Sequence, residues 1–398
     1  MIGKLLASAR RAGSPHVRVC AAALWATIFP GILLLGCGGT SRTSGTTATT
    51  GQQTAAPIVS TAAALNGAVV VTLASTTPGA QIYYTVDGSV PTAASTLYQA
   101  PFLVSSNLTV KAIALAGADT ASNVTSQAFN LNIPSGTLVW SDEFSNTTGA
   151  NTQPDPATWT YYTGAGFNHE IAMLCSYNSN NSPCSPSTPN SYVGTDGYLH
   201  IIAQQPSPGV YTTALMWSQG LFSFQYGRIE ARIMVPEEKG LHTTFWLLGN
   251  NGHWPACGEM DIMERINAAG LPLSGNPPPG TSDWNQGSIH GTGFTGGEIG
   301  TKYYFTGGVT AASWHTYGIV KTPNSIFYYV DDPTHPYVTY TPASLSGLTG
   351  AVWPFDNAAQ SYYIILDINV GDTWAGPPNS STKFPAQMLV DYVRIYAN

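Results

Sequence analysis

The stretch Trp254-Pro255-Ala256-Cys257-Gly258-Glu259-Met260-Asp261-Ile262-Met263-Glu264-Arg265 carries three carboxylates within six positions, although only 9% of all residues are charged. Side chains of a β-strand alternate between its two faces, so Glu259 and Asp261 point the same way. Strict alternation would put Glu264 on the opposite face. A one-residue bulge between Asp261 and Glu264 would return it, and bulges are common beside active sites. The stretch therefore predicts a strand with three carboxyl groups in a row on one face.

Such a row has the chemistry that glycoside hydrolysis requires, namely one ionised and one protonated carboxyl group. Closely spaced carboxylates cannot all stay ionised, so one of them is expected to hold a proton near neutral pH. The alternative is that the acids are solvated outer positions of an ordinary strand. A strand of that kind usually mixes in Lys, Thr or Ser, and the pattern therefore favours a carbohydrate-cleaving site.

The composition points to an all-β exported protein. The chain has 398 residues, 43% hydrophobic and 11% aromatic, with 41 Gly and 28 Pro. That length suits two to three domains. No long segment keeps a 3.6-residue apolar period with caps, so we expect few helices.

The N-terminal residues resemble a bacterial lipoprotein signal, which predicts a targeting segment. The apolar run Ala21–Leu35 follows four basic residues, is short for a membrane span and contains Pro30. It ends in Leu34-Leu35-Gly36-Cys37, which predicts removal of residues 1–36 and a lipid on Cys37. An ordinary secretory signal or a retained membrane helix are the alternatives. Gly38 favours sorting to the bacterial outer membrane, so we expect an exported, surface-anchored protein that faces the extracellular space.

The charge balance excludes several partners. Without residues 1–36 the chain keeps 10 basic and 21 acidic residues, a formal charge of −11. Such a surface argues against nucleic acid and anionic membranes and favours a neutral polymer. We expect contact with the membrane only through the lipid, and a monomer.

The remaining cysteines have separate expected roles. Cys175 and Cys184 flank a polar loop, and an exported protein can form a disulfide there. Cys257 is more typical of a small packed thiol than of a nucleophile, although His253 lies nearby. The absence of Cys-x-x-Cys motifs and His-rich clusters argues against zinc.

Two segments precede the large domain. Residues 37–55 are Gly, Ser, Thr, Ala and Gln, which predicts a flexible tether. Residues 56–134 contain short strands with a turn at Asp87-Gly88, which predicts a small sandwich. Within them, Tyr83–Thr92 resembles the immunoglobulin-like module named after the C-terminal domain of chitobiase and β-hexosaminidase. Its role as a spacer or as a sugar-binding module stays open.

Residues 137–398 resemble glycoside hydrolase family 16, specifically its laminarinase (endo-β-1,3-glucanase) branch. The matching motifs are Leu138–Phe144, Phe224–Arg232, Phe245–Gly249, Trp254–Arg265 and Val390–Tyr396. The resemblance implies a concanavalin A-like β-jelly roll with an open cleft, in agreement with the strand-rich, Gly- and Pro-containing texture. It also implies that Glu259 is the nucleophile and Glu264 the general acid/base. Asp261 is then the carboxylate between them that adjusts the protonation of both.

Further residues match cleft positions of the family. Trp254 should stack near the cleavage point, and Trp246 belongs either to the core or to a sugar subsite. His290 matches a cleft histidine, although a lone histidine is usually structural. Asn168 and Glu170 match the cleft edge, with an ordinary loop role as the alternative. No cofactor is expected for catalysis.

The family also implies a structural calcium away from the cleft. The corresponding positions are Glu143 and Gly197, through backbone oxygens, and Asp391, through its carboxylate. Oxygen-only ligation suits calcium.

Three segments depart from the usual laminarinase pattern. Thr213–Met216 lacks the arginine of Ser-Ala-Arg-Leu, His242–Trp246 replaces Trp-Pro-Ala-Phe-Trp, and Asp367–Asp372 replaces Asn-Leu-Ala-Val-Gly-Gly. The expected activity is therefore a retaining endo-β-1,3-glucanase acting on laminarin-like polysaccharides. A family member acting on mixed-linkage β-1,3-1,4-glucan or a β-galactan is the alternative, and a non-catalytic glycan-binding lipoprotein is the competing class.

Overall fold

The structure is a computed structural model that describes residues 51–251, 253–266, 277–294 and 297–398. The signal segment 1–36, Cys37 and the tether up to residue 50 lie outside the described residues. Within the described ranges, no helix is long and apolar enough to cross a membrane. The two helical segments described are single 3₁₀ turns, Leu65–Gly67 and Pro342–Leu345, and the fold is otherwise built from strands.

The first domain is a small sandwich of two antiparallel sheets, as the sequence predicts. Its strands are β1 (Ile58–Ala63), β2 (Val69–Ala74), β3 (Gln81–Thr85), β4 (Thr96–Leu97), β5 (Phe102–Val104), β6 (Leu108–Leu115) and β7 (Thr125–Phe129). One sheet has the order β1-β2-β5 and the other β4-β3-β6-β7. Alternate residues such as Val71, Tyr84 and Val110 fill the core between them. We call this domain the accessory sandwich.

The accessory sandwich begins a few residues before the predicted boundary at residue 56. Gln53 bridges Thr120, and the N–H of Thr54 donates to the Thr120 carbonyl at 3.0 Å. Thr54 is 2% exposed. Backbone hydrogen bonds at a sheet edge hold this segment, and a polar composition does not reveal them.

The second domain is a larger two-sheet sandwich. Its strands are β8 (Leu138–Asp142), β9 (Thr160–Tyr162), β10 (Gly164–Ala165), β11 (Ala172–Leu174), β12 (Ser191–Val193), β13 (Leu199–Ser207), β14 (Val210–Thr213), β15 (Leu215–Trp217), β16 (Gly227–Met234), β17 (Leu241–Gly249), β18 (Glu259–Ile266), β19 (Thr281–His290), β20 (Ile299–Thr306), β21 (His315–Lys321), β22 (Ile326–Val330), β23 (Val338–Tyr340), β24 (Tyr362–Val370) and β25 (Ala386–Tyr396).

These strands form a seven-stranded and an eleven-stranded sheet. The seven-stranded sheet, here called the cleft sheet, has the order β20-β19-β18-β17-β24-β15-β9. The eleven-stranded sheet, here called the outer sheet, runs β10-β11-β14-β13-β25-β16-β21-β22-β23, with β12 beside β13 and β8 beside β25. The all-β jelly-roll sandwich expected from the sequence is confirmed.

One apolar core fills the space between the two sheets. On β16 of the outer sheet, Ile229, Ala231 and Ile233 are fully buried in it. Met260 of the cleft sheet packs into the same core from the other side. Period-two alternation therefore leaves the opposite face of the cleft sheet, here called the cleft face, for other side chains.

The two sandwiches are docked against each other through hydrogen bonds. The N–H of Leu103 donates to the Ser223 carbonyl at 2.9 Å, and the Ser223 hydroxyl donates to the Pro101 carbonyl at 2.9 Å. The buried hydroxyl of Tyr84 donates to the Ala359 carbonyl at 2.7 Å. These hydrogen bonds hold the accessory sandwich against the larger sandwich.

Three of the five cysteines lie within the described residues. Cys175 and Cys184 are joined in a disulfide. Cys257 is a buried free thiol, and burial raises its pKa to about 12. A thiol that resists ionisation in this way is a poor nucleophile, so Cys257 acts as packing.

Candidate active site

The predicted bulge is present in β18. On the β19 side Asp261 pairs with Ser288 and Glu264 with Gln286, so two residues of β18 stand opposite one of β19. Ile262 and Met263 are these two residues, and both side chains enter the core. The bulge therefore returns Glu264 to the cleft face beside Asp261.

The cleft face brings Glu259, Asp261 and Glu264 together around one pocket. Their exposures are 0%, 3% and 4%, so all three are essentially shielded from water in this structure. The indole N–H of Trp254 donates to Glu259 Oε2 at 2.9 Å. Trp254 thus orients the carboxylate predicted to be the nucleophile, in addition to offering a flat face to a sugar ring.

His290 lies at the same cluster. Its Nε2 is 2.8 Å from Asp261 Oδ2 and 3.5 Å from Glu259 Oε1. Its Nδ1–H donates to the Gly297 carbonyl at 2.5 Å, which fixes the ring. Burial disfavours the charged ring, but the carboxylates of Glu259 and Asp261 outweigh it and raise the pKa of His290 to about 9. His290 therefore lies in contact with the carboxylate row, and its part in the reaction stays a prediction.

Ser288 connects the other two carboxyl groups. Its hydroxyl oxygen is 2.8 Å from Asp261 Oδ2 and 2.8 Å from Glu264 Oε2. A hydroxyl has one proton, so it can donate to one carboxylate and accept from the other only if that one is protonated. Burial first, and the charges of Glu259 and Glu264 second, raise the pKa of Asp261 to about 7. Of the three carboxyl groups, Asp261 is accordingly the one with the greatest affinity for a proton.

Behind Glu264 lies a buried histidine that the sequence argument does not assign to the site. His242 Nε2 is 3.5 Å from Glu264 Oε1, and its Nδ1 is 2.7 Å from Asp372 Oδ2. Burial acts to raise the pKa of Glu264, but the charge of His242 holds it below the ordinary value.

Next to this histidine, a polar network extends the pocket across β17 and β24. Asp367 Oδ1 accepts the indole N–H of Trp246 at 2.9 Å and also the hydroxyl of Thr244. Asp367 Oδ2 accepts the side-chain amide of Asn369 at 2.7 Å. The Trp246 side chain therefore lies on the cleft face and lines the pocket, and its role in a sugar subsite stays a prediction.

Aromatic rings continue along the cleft face. Besides Trp246 and Trp254, this side of the sheet carries Tyr162, Phe167, Trp217 and Tyr363. Trp217 makes edge-to-face contacts with Tyr162 and Tyr363. Flat apolar surfaces beside hydrogen-bonding groups are the combination that sugar rings require.

Asn168 and Glu170 lie on the loop that borders this network. Glu170 Oε1 accepts the backbone N–H of Val370 at 3.1 Å, while Oε2 is buried without a partner. Burial and the nearby Asp367 raise the pKa of Glu170 well above its ordinary value. The side-chain nitrogen of Asn168 is also buried without a partner. Unpaired polar atoms of this kind are suited to the hydroxyls of a bound sugar.

The residues predicted for calcium sit on the outer sheet side. Asp391 Oδ2 is 2.6 Å from Arg232 Nη1, and the carboxylate of Glu143 receives two hydrogen bonds from Arg394. A calcium ion at Asp391 would have to displace an arginine, so the donor set as arranged does not fit the ion. The calcium site stays a prediction, and no step below depends on it.

Within the described residues, one group of side chains could hold a metal. Ligand atoms of Glu259, Asp261 and His290 lie within 4.8 Å of one another. Since Glu259 and Asp261 belong to the carboxylate row and His290 contacts both, a divalent cation there would compete with the chemistry of the cleft.

Ser288, His242, Asp372 and Asp367 also lie at the site, although the sequence motifs did not predict them. Ser288 is hidden in the motif around His290. The other three lie in two of the segments that depart from the laminarinase pattern. Those departures were the sequence signal that could have identified them as site residues. Only strand pairing brings β17 and β24 together and shows that both departures meet beside Glu264.

Comparison with known proteins agrees with this geometry. The family model described as "Glycosyl hydrolases family 16" matches residues 187–393, and "Chitobiase/beta-hexosaminidase C-terminal domain" matches residues 60–126. A β-glucanase of Rhodothermus marinus is 31% identical over 65% of this chain and 84% of that protein. Glucan endo-1,3-beta-glucosidase A1 of Niallia circulans is also 31% identical, over 65% of this chain and 37% of that protein.

Among solved structures, the catalytic domain of an endo-1,3-beta-glucanase (laminarinase) from Thermotoga petrophila RKU-1 superimposes with a TM-score of 0.53. It is 30% identical and covers 66% of this chain and 98% of that chain. Fold, cleft and carboxylate row define a glycoside hydrolase. The chain belongs to glycosyl hydrolases family 16, with a chitobiase/beta-hexosaminidase C-terminal-type domain before the catalytic sandwich.

Proposed function

We propose that the protein is a retaining endo-β-1,3-glucanase that hydrolyses laminarin-like polysaccharides. The observation that carries this proposal is the bulged row Glu259, Asp261 and Glu264 on the cleft face, with Trp254 and His290 bound to it. The relatives named as endo-1,3-β-glucanases support the linkage.

In the first step, Glu259 attacks the anomeric carbon while the bond to the leaving oxygen breaks. Glu264 gives its proton to that oxygen, and a covalent glycosyl-enzyme forms. The N–H of Trp254, bound to Oε2 of Glu259, orients the carboxylate for this attack. In the second step, Glu264 takes a proton from water, the water oxygen bonds to the anomeric carbon, and Glu259 is released. Two inversions give net retention.

The proton needed by Glu264 is held within the row. Asp261 carries it near neutral pH, and the Ser288 hydroxyl bridges Asp261 and Glu264. Ser288 can accept the proton of Asp261 while donating its own to Glu264, which leaves the number of protons unchanged. When the leaving oxygen arrives, Glu264 can therefore be supplied without water entering the cleft.

Substrate choice is set around this chemistry. Among the described residues, the pocket at the row is lined by carboxyl, amide, hydroxyl and apolar side chains and by no lysine or arginine. Its lining therefore offers no cation to pair with an anionic sugar, which favours neutral glucans. Trp217 stands beside the position where laminarinases carry an arginine, and its ring offers a stacking surface in place of that charge.

A panel of laminarin, lichenan and agarose with product sizing tests the substrate, and Glu259→Ser controls for contaminating activity. We expect short oligosaccharides from laminarin from the start of the reaction, which defines endo-action. Cleavage of lichenan or agarose in preference to laminarin would replace the proposed substrate. If the unaltered protein and Glu259→Ser release sugar from all three polysaccharides at the same background level, the proposal that the protein is an enzyme is rejected.

Retention is tested separately by recording the anomeric proton signals of fresh product by NMR. We expect the β-anomer to appear first and to mutarotate afterwards. The α-anomer as first product would show an inverting reaction and would remove Glu259 as nucleophile.

For localisation, we propose a lipoprotein anchored through Cys37 that presents the cleft to the outside of a bacterial outer membrane. The lipoprotein-like Leu34-Leu35-Gly36-Cys37 supports this proposal. Globomycin should cause the unprocessed precursor to accumulate, and processing that continues unchanged would reject the anchor.

A further inference from the structure

We propose that His242, held by Asp372, is a positioning residue that keeps a positive charge beside Glu264 and makes it a stronger acid toward the leaving oxygen. This inference rests on the proposed role of Glu264 as general acid/base. It adds a buried aspartate–histidine pair to the reaction, behind the carboxylate row and out of reach of the substrate.

Hydrogen bonds and ring packing hold Asp372 and His242 in one geometry. The Asp372 carboxylate accepts the backbone N–H groups of Trp374 at 3.0 Å and of Ala375 at 2.6 Å. It therefore faces His242 Nδ1, 2.7 Å away, in one orientation. The ring of Trp374 packs edge-on against the imidazole, with 5.0 Å between the two ring centroids. His242 is 0% exposed, so water cannot replace these partners.

The second ring nitrogen points at the acid/base. His242 Nε2 lies 3.5 Å from Glu264 Oε1 and has no hydrogen-bond partner in this state. A doubly protonated ring would donate one N–H to Asp372 and hold the other toward Glu264. As Glu264 loses its proton to the leaving oxygen, its new negative charge forms opposite that N–H, which stabilises the carboxylate at the moment it is needed.

The charged groups around the ring favour its protonated form. Asp372 faces it from the loop after β24, Glu264 from β18, Asp367 from β24 and Glu170 from the loop before β11. All four are carboxyl groups. Burial disfavours the charged ring, but Asp372 and then Glu264 outweigh it and raise the pKa of His242 to about 10.

The test is the pH dependence of kcat/KM on laminarin for His242→Gln, with His242→Asn as a second replacement. Loss of the positive charge should raise the pKa of Glu264, so the alkaline limb should move upward by about one pH unit or more. A role in structure alone would lower kcat at every pH and leave the limb in place. An unmoved limb, or one that moves to lower pH, would overturn the proposal.

His315→Gln is the matched control. His315 Nδ1 lies 2.7 Å from Asp331 Oδ2, the same distance as in the His242 pair, but its Nε2 faces the Thr310 carbonyl on the outer sheet side. This variant should keep the alkaline limb of the unaltered enzyme. A shift as large as that of His242→Gln would assign the effect to general destabilisation and overturn the proposal.

Glu264→Gln separates this inference from the proposed function. If Glu264→Gln keeps activity and its alkaline limb, Glu264 is not the acid and the proposed function fails. If Glu264→Gln is inactive while both His242 variants keep the limb, only the role of His242 fails.

If neither His242 variant folds, ring ¹⁵N shifts of the unaltered protein decide. The variants His200→Gln, His290→Gln and His315→Gln identify the ring signals of the other buried histidines that the structure describes. If the remaining buried ring is doubly protonated at pH 8 the proposal is supported, and if it is not the proposal is overturned.

Discussion

The carboxylate row on the cleft face and two carboxylates on the outer sheet side have opposite kinds of partner. On the outer sheet, Glu143 is paired with Arg394 through two hydrogen bonds and Asp391 with Arg232. On the cleft sheet, the buried row is packed together, and its partners in the described residues are histidine, tryptophan and serine side chains.

The difference separates charges that hold the fold from charges that perform chemistry. A carboxylate matched by a guanidinium is stable and unreactive. Three carboxyl groups in one dry pocket repel one another, so one proton is kept among them and their affinities for it diverge. Removal of a charge from the cleft row is therefore expected to lower activity and raise stability. Removal of a charge from the outer sheet pairs should lower stability and leave activity unchanged.

The largest effect is expected for Glu259→Gln compared with Glu143→Gln. The first should lower kcat/KM at least about 1000-fold, because no nucleophile remains, while its thermal midpoint stays equal or rises. The second should keep kcat/KM and melt at a lower temperature. Reducing-sugar assays and thermal unfolding of both variants measure this contrast, and a lower midpoint for Glu259→Gln would break it.

A smaller effect is expected for Asp261→Asn. Asp261 holds the proton but forms no bond to the sugar, so its loss should lower kcat by roughly 10- to 100-fold. Above pH 7, where Asp261 ionises, the thermal midpoint of the variant should be higher than that of the unaltered enzyme, since the amide carries no like charge. A loss as deep as that of Glu259→Gln would show that Asp261 itself takes part in a bonding step.

The pH dependence of stability should have opposite signs in the two regions. Arg394 holds the pKa of Glu143 below its ordinary 4.5, so that stabilisation is complete above 4.5 and is lost as the pH falls. The pKa of His242 rises from 6.5 to about 10, so its stabilisation is complete below 6.5 and is lost as the pH rises toward 10. The free energy of unfolding, measured with denaturant from pH 3 to 10, should therefore depend less on pH at the acid end in Glu143→Gln and at the alkaline end in His242→Gln. The reverse assignment would contradict the comparison.

The smallest effect is expected for Arg394→Ala. The Glu143 side chain is 40% exposed, so water screens the pair, and its loss should reduce the free energy of unfolding by about 0.5–1 kcal/mol. Activity on laminarin should not change. A drop in kcat would link the outer sheet to the cleft and weaken the separation.

Local sequence patterns predicted much of this molecule. The alternation in β16 and the acid spacing in β18 follow directly from the two-residue period of a strand, and the bulge follows from the one position that breaks it. The domain order was also predictable, because composition changes sharply at the tether. The boundary at residue 56 missed Thr54, since sheet-edge hydrogen bonds leave no mark on composition.

The sequence by itself determined the carboxylate row, since Glu259, Asp261 and Glu264 lie on one strand, where period and bulge fix their direction. Only the tertiary structure decided their surroundings. His242, Asp372 and Ser288 come from other strands and loops, and pairing between β17, β18, β19 and β24 brings them to the row. Proton affinity depends on burial and on charges a few ångströms away, and those distances are set by the packing of segments up to 130 residues apart in the chain.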